Sequence, residues 1–231
     1  MGLEKSPENA ERLREGLEVV EHLTRQLHRQ LGRGIDADDL RSAGREGLTL
    51  AVRDFDPSRG VPFRRWANLR VRGAMLDAVR SQGGLPRRVY RQVRALEAAT
   101  VAQEGRLEDD AARPPGSPAE ADAQITDQLQ TAAMAMAMSF LSMRGTDDAI
   151  RAADDRPDPE EAVAREELLG RIREAIATLP DAERTLLQRH YFEDVTFDQV
   201  AKDIGLSKSW ASRLHTRALE TVARTLGNPK R

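Results

Sequence analysis

The sequence predicts an all-α protein: two or three small helical domains joined by linkers, with a C-terminal helix-turn-helix. Three observations predict it. Aromatic residues are only 4% of the 231 residues, too few for a β-sandwich or barrel. Apolar side chains recur at three-to-four spacing through most of the chain. Clusters of Gly and Pro separate the periodic stretches, as at Gly32 to Gly34, Gly83-Gly84 and Arg113 to Pro118.

Leu13, Leu17, Val20, Leu23, Leu27 and Leu31 line one helix face, and the glycines after Leu31 end it. Asp36 or Asp38 can cap a second helix bearing Leu40, Leu48, Leu50 and Val52, which Asp56-Pro57 breaks. A third helix begins near Pro62 or Phe63, since Pro is tolerated at a helix start, and runs to about Ser81. Pro86 opens a fourth, expected to end near Glu104. Residues 124–143 carry Met134, Met136, Met138 and Met143 among alanines. The alternation could be read as a strand, but Ala and Met are good helix formers, and a helix in a small core is preferred. Residues 145–159 are acidic, contain two prolines and read as an extended linker. Val163, Leu168, Leu169, Ile172, Ile176 and Leu179 form a further helical face that Pro180 stops. Asp181 starts a helix to about Phe192, and shorter helices follow near 197–204 and 208–226.

Composition excludes several classes of function. There is no Cys, so thiol chemistry and Cys-based zinc sites are ruled out, and four scattered His suggest no metal site. No apolar run approaches the roughly 20 residues that span a bilayer, and the polar start MGLEKSPENAERL lacks a signal-peptide core. A cytoplasmic protein with no membrane partner is expected. No cofactor is expected either. The net charge of −2 hides strong blocks. Residues 59–94 hold ten Arg against the single acid Asp77, and residues 208–231 hold six basic residues against Glu220. Residues 104–127 and 147–167 are acidic. Two basic patches separated by acidic stretches suit two contacts with a polyanion.

The stretch TFDQVAKDIGLSKSWASRLHTRAL has helix-turn-helix spacing. Val200, Ala201 and Ile204 would face inward on a short helix, and Gly205 would supply the positive φ of the turn. Leu206 would plug the angle between helices, and the Ser207 hydroxyl can cap the second helix. Ala211 and Leu214 would point back toward the first. The groove-facing side would then carry Lys208, Ser209, Ser212 and Arg213, with Arg217 and Arg224 reaching phosphates. Trp210 reads equally as a groove residue or as a buried anchor.

In VPFRRWANLRVRGAM, aromatic and basic residues interleave. Arg64, Arg65, Arg70 and Arg72 can contact phosphates, and Trp66 offers a flat face to an unpaired base. Stacking of this kind contributes about 1–3 kcal/mol per base. Phe63 is expected in the core. Trp66 could also be core at this spacing, but four neighbouring arginines favour the stacking role.

These two segments, in this order, resemble the sigma-70 superfamily of bacterial RNA polymerase initiation factors, in particular its flagellar- and sporulation-type group. DDLRSAGREGLTLAVRDFDPSRGVPFRRWANLRVRGAM is similar to that family's region 2, whose usual pattern is D-L-x-x-A-G-x-x-G-L…F-D-P-x-R-G…F-x-x-Y-A-x-x-R-I-R-G-A-M. LPRRVYRQVR resembles the start of region 3. PDPEEAVAREELLGRIREAIATLPDAER through SWASRLHTRAL resembles region 4. The resemblance implies residues 1–83 as region 2, 84–144 as a degenerate region 3, 145–159 as an acidic linker threading toward the polymerase cleft, and 160–231 as region 4.

The resemblance also implies a division of labour. Asp39, Leu40, Ala43, Gly44 and Gly47 fall on the helix that docks on the core polymerase clamp. Arg64, Arg65, Trp66, Asn68, Arg70 and Arg72 fall where the −10 element is read and melted, with Trp66 at the family's usual Tyr position. Arg87, Arg88 and Arg91 fall where DNA upstream of the −10 element is contacted. Gly83-Gly84 replaces the Asp-Trp pair common before L-P-R in that family. Ser207, Lys208, Ser209, Trp210, Ser212, Arg213 and Arg217 fall where the −35 element is read, with Trp210 at a usual Arg position. Core RNA polymerase, promoter DNA and an anti-sigma factor are the partners implied. No long acidic N-terminal extension precedes the match, so self-inhibition of that form is not expected.

The competing readings are a stand-alone helix-turn-helix regulator and an enzyme. The first leaves the aromatic-basic helix unexplained. Against the second, His190, Tyr191 and Glu193 face different ways on a helix, and neither a phosphate-binding Gly loop nor a nucleophile motif occurs. The sequence therefore predicts a transcription initiation factor without chemistry of its own.

Overall fold

A computed structural model describes residues 7–32, 34–82, 85–142, 159–193 and 195–227. Among these residues every regular element is helical. The elements are α1 (Pro7–Leu31), α2 (Ala37–Asp54), a 3₁₀ turn (Pro57–Arg59), α3 (Phe63–Ser81), α4 (Arg87–Ala112), α5 (Pro118–Ser142), α6 (Pro159–Ala177), α7 (Asp181–Leu187) running into a π-helical turn (Gln188–Phe192), α8 (Phe197–Asp203) and α9 (Lys208–Gly227).

Local chemistry sets most of the boundaries. Asp36 caps α2 by accepting the Asp38 N–H at 2.7 Å. Asp56 accepts the Ser58 N–H at 3.0 Å and starts the turn that Gly60 closes at φ 70°. Thr196 caps α8 through the Gln199 N–H. The fourth helix runs two turns beyond the expected end at Glu104, to Ala112. Glu104, Glu108, Asp109 and Asp110 are acidic, but acidic residues do not stop a helix whose Leu107 is buried; Pro114 and Pro115 do. The methionine-rich segment is helical, with Ala135 and Met138 buried. The acidic linker expected at 145–159 lies outside the described residues up to 158, as does Gly83-Gly84.

Helices α1, α2 and α3 enclose the first core, built from Val20, Leu23, Leu27, Leu40, Leu48, Val71, Met75 and Leu76. A second core joins α5, α6 and α9 to α4 through Ala135, Met138, Ile172, Ile176, Leu219 and Val222. The helix-turn-helix has a third, from Leu186, Phe197, Val200, Ala201 and Ala211. Helix α4 reaches all three: Val93 and Leu107 enter the first, Ala98 and Ala102 the second, and Val101 packs on the third. The helical modules expected as separate units therefore share one central helix.

Candidate nucleic-acid interface

The helix-turn-helix forms from local rules. Val200 and Ala201 are buried and Ile204 is half-buried. Gly205 adopts φ 73°, and the Leu206 N–H donates back to the Ala201 carbonyl at 2.8 Å. Ser207 Oγ accepts the Trp210 N–H at 3.3 Å and caps α9. Ser207, Lys208, Trp210 and Arg217 are exposed, while Ser209 and Arg213 are half-buried. Trp210 is 46% exposed, so it is not a buried anchor. The Arg213 guanidinium lies 5.9 Å from the centre of its ring.

Ser212 departs from the sequence expectation. It is fully buried, and its hydroxyl donates to the Lys208 carbonyl at 3.0 Å. The reason is α4: Gly105 lies directly against the Ser212 carbonyl. Helix α9 thus turns Ser212 toward protein rather than outward.

On α3, Arg64 and Arg65 are exposed and Asn68, Arg70 and Arg72 half-buried. Trp66, expected as an open stacking face, is only 9% exposed. Its indole N–H donates to the Ala51 carbonyl at 3.0 Å, and the Arg70 guanidinium covers the ring at 4.3 Å from the centroid. Phe63 is buried as expected and meets Phe55 edge-on at 5.2 Å. Burial lowers the Arg72 pKa from its ordinary value. Arg64, Arg65 and Asn68 line a cleft of about 460 Å³ with Arg106 and Gln103 of α4.

Several of these arginines pair with α4. Arg65 donates to Asp110 at 2.6 Å, and Arg70 forms an ion pair with Glu104 at 2.7 Å. Glu108 takes two partners: Arg59 at 2.6 Å and Arg213 at 2.7 Å. Trp66 and Arg70 of α3 and Ser209 of α9 line the same crevice, beside Glu104 and Glu108. The two candidate reading helices therefore converge on one face of α4. Further up α4, Arg88 is exposed and Arg91 half-buried, and the Arg87 side chain lies outside the described residues.

The residues expected to contact the polymerase clamp fall on α2, but not all face outward. Asp39 is exposed and Ala43 half-buried, whereas Leu40, Gly44 and Gly47 are buried. Gly47 is packed so closely on α3 that an added Cβ would sit 2.6 Å from the Ala74 Cβ. Ser42, Arg45, Glu46, Thr49, Leu50 and Arg53 form the outer face instead, with Leu50 43% exposed. Their three-to-four stride from Asp39 was the available signal.

His190, Tyr191 and His215 form a buried polar cluster rather than a reactive site. Tyr191 and His215 stack at 5.7 Å, with the Tyr191 hydroxyl hydrogen-bonded to His215 Nε2 at 2.9 Å. His190 Nδ1–H donates to the Val195 carbonyl at 3.2 Å. Burial pushes the His215 pKa down to about 3. It also holds His190 well below its usual value, with Arg94 adding to the effect, and raises the Tyr191 phenol. No group of three or more metal-ligating side chains occurs among the described residues, and no described helix is long and apolar enough to cross a membrane.

Comparison with known proteins gives two family matches in the order expected: sigma-70 region 2 over residues 18–84 and sigma-70 region 4 over residues 175–224. The chain is 30% identical over 202 residues to the RNA polymerase sigma-D factor of Bacillus subtilis, covering 82% of this chain and 78% of that protein. It is 29% identical over 219 residues to the RNA polymerase sigma factor FliA of Escherichia coli K12, covering 90% of each. Among solved structures, a flagellar sigma/anti-sigma complex, Sigma-28/FlgM, matches 97% of this chain and 100% of the solved one, at 25% identity and a TM-score of 0.32. The chain belongs to the sigma-70 family: it is a non-enzymatic RNA polymerase sigma factor, related to the flagellar sigma factors, that binds core polymerase for promoter recognition and transcription initiation.

Proposed function

We propose that three surfaces of this sigma factor divide the work of initiation. The outer face of α2, from Asp39 and Ala43 through Arg45, Glu46 and Leu50, docks on the clamp of core polymerase. Helix α3 reads and melts the −10 element: Arg64, Arg65, Arg70 and Arg72 hold phosphates, Asn68 contacts a base edge, and Trp66 stacks on an unpaired base once Arg70 leaves its ring. Helix α9 reads the −35 element through Lys208, Ser209, Trp210 and Arg213, with Ser207 and Arg217 on the backbone. Arg87, Arg88 and Arg91 touch DNA just upstream of the −10 element. The units behind these surfaces are residues 1–83, 84–144, the linker 145–159 and 160–231.

The observation that carries the reading is the pairing of an aromatic-basic helix with a capped helix-turn-helix on one chain. A base-stacking side chain serves opened DNA, and a recognition helix serves duplex, so one chain meets both states of a promoter. The protein works in the cytoplasm, where polymerase and DNA are, and an anti-sigma protein holds it inactive, as FlgM accompanies the related flagellar sigma factor.

Transcription in vitro with core polymerase on a genomic DNA library tests the reading. Sequencing of the 5′ ends should return start sites that share one −35/−10 pair. Starts with no shared element, or no stable binding to core polymerase together with tight duplex binding by the free protein, would overturn it. The latter result would favour a stand-alone helix-turn-helix regulator.

A further inference from the structure

We infer that Tyr191 and His215 are positioning residues: their buried hydrogen bond sets the rotation of α9 about its own axis, and through it the sequence preference at the −35 element. The inference rests on the DNA-reading role proposed for α9 above. Two features carry it. The first is the π-helical turn. Its Glu193 N–H donates to the Gln188 carbonyl, five residues back, at 3.3 Å. Neighbours on an α-helix point about 100° apart, so adjacent residues seldom share one interior. Here His190 and Tyr191 are adjacent and both are buried, at 3% and 4% exposure. Both rings meet His215 of α9: Tyr191 stacks on it, and His190 lies edge-on at 6.1 Å. Phe197, the first residue of α8, meets His190 edge-on at 5.6 Å and His215 at 5.4 Å. Arg189 of the same turn pairs with Asp203 at the end of α8 at 2.8 Å. The turn therefore ties together the two helices of the DNA-reading unit. Single π turns recur at functional sites, where one extra residue re-aims side chains.

The second feature is direction. The core between α8 and α9 is made by Val200, Ala201 and Ala211, whose short apolar side chains hold two helices together without a preferred angle. The Tyr191 hydroxyl and His215 Nε2, at 2.9 Å, add a contact that has one. It is the one hydrogen bond of the His215 ring among the described residues, since Nδ1 has no partner there. The ring is fully buried, so no water replaces that bond.

His215 follows Arg213 by two residues, about 200° around the helix, so the anchor sits inside and the reader outside. A rotation of α9 by about 10° moves a group about 6 Å from the axis by about 1 Å. Hydrogen bonds to a base edge keep their strength over only about half of that distance. The Tyr191 hydroxyl thus holds Arg213 and Trp210 in register with the bases while touching no DNA itself.

The test uses holoenzyme made from the full chain and core polymerase. It transcribes a template library randomised at the −35 element, with one fixed −10 element and a barcode in each transcript. Tyr191→Phe removes the hydroxyl and keeps the ring. His215→Leu removes the acceptor, and His215→Gln returns an amide to the hydroxyl. Tyr191→Phe and His215→Leu should flatten the −35 preference about threefold to tenfold, while His215→Gln stays within about twofold of the parent. Transcription from templates without a −35 element, per holoenzyme formed, should not change. An equal loss on every template with the −35 profile intact would make the pair structural only and overturn the inference. So would an unchanged profile in Tyr191→Phe, or a profile in His215→Gln as flat as in His215→Leu. If His215→Leu forms no holoenzyme, Tyr191→Phe decides alone. A parent with no −35 preference would sink the reading role of α9 and the inference with it. A parent with a clear preference that Tyr191→Phe leaves intact would sink the inference only.

Discussion

Trp66 donates its indole N–H to the carbonyl of Ala51 at 3.0 Å, tying the aromatic centre of α3 to the last turns of α2. The residue assigned to base stacking is therefore also a packing residue. Trp66→Ala should lower stability by about 3–5 kcal/mol, the cost of an emptied aromatic site. At a temperature where the variant stays folded, it should bind core polymerase normally and open promoters slowly. Trp66→Phe keeps a ring and loses the hydrogen bond, costing about 1 kcal/mol. Permanganate reactivity of −10 thymines follows the opening, and normal reactivity in Trp66→Ala would refute the stacking role.

Arg213→Ala should weaken promoters that depend on the −35 element and spare those that do not. Loss of one good base contact amounts to about 1–3 kcal/mol of discrimination. Runoff transcription from paired templates checks this. An equal loss on every template would instead make Arg213 a phosphate contact.

The two faces of α2 should respond differently. Leu50→Glu on the outer face should weaken core polymerase binding and leave the melting temperature unchanged. Gly47→Ala on the inner face forces α2 and α3 apart, since its Cβ meets the Ala74 Cβ at 2.6 Å. It should lower stability by about 1–3 kcal/mol. Thermal unfolding and a polymerase pull-down on both variants separate docking from packing.

Mild acid should destabilise the protein through its two buried histidines. Both have folded pKa values below the ordinary 6.5, His215 at about 3, so the unfolded chain takes up protons that the folded one refuses. Their contribution is whole above pH 6.5 and is lost as pH falls through the window down to the folded values. Between pH 7 and pH 5 the loss should be about 2 kcal/mol for His215, with a further loss in the same direction from His190. Urea titrations at both pH values check it, and His215→Gln should remove the His215 share of the pH dependence.

Local features were legible in the sequence because their causes are local. Asp36, Gly205 and Ser207 act on residues within a few positions, and the helix-turn-helix followed from them. Ser212 was not legible, because the groove side and the α4 side of α9 differ only by the presence of Gly105, far away in sequence. Trp66 at helical spacing fits a stacking role and a core role alike, and the Ala51 carbonyl decides its free-state position. In α2, the family pattern pointed to Gly44 and Gly47, whose lack of a side chain serves the approach of α1 and α3. The extra turns of α4 were not legible because the core that buries Leu107 is built from residues distant in sequence.

Helix α4 has a consequence for how the chain is made. Its partner atoms on α9 lie 114 residues later, as with the Thr216 hydroxyl on the Ala102 carbonyl. A ribosome adding about 5–20 residues per second needs several seconds or more to span that gap. During those seconds the strip of Ala98, Ala102 and Gly105 faces water. Small side chains expose little apolar area there, so the waiting surface is a weak target for aggregation. The residues that let two helices meet closely also keep the half-made protein safe before they meet.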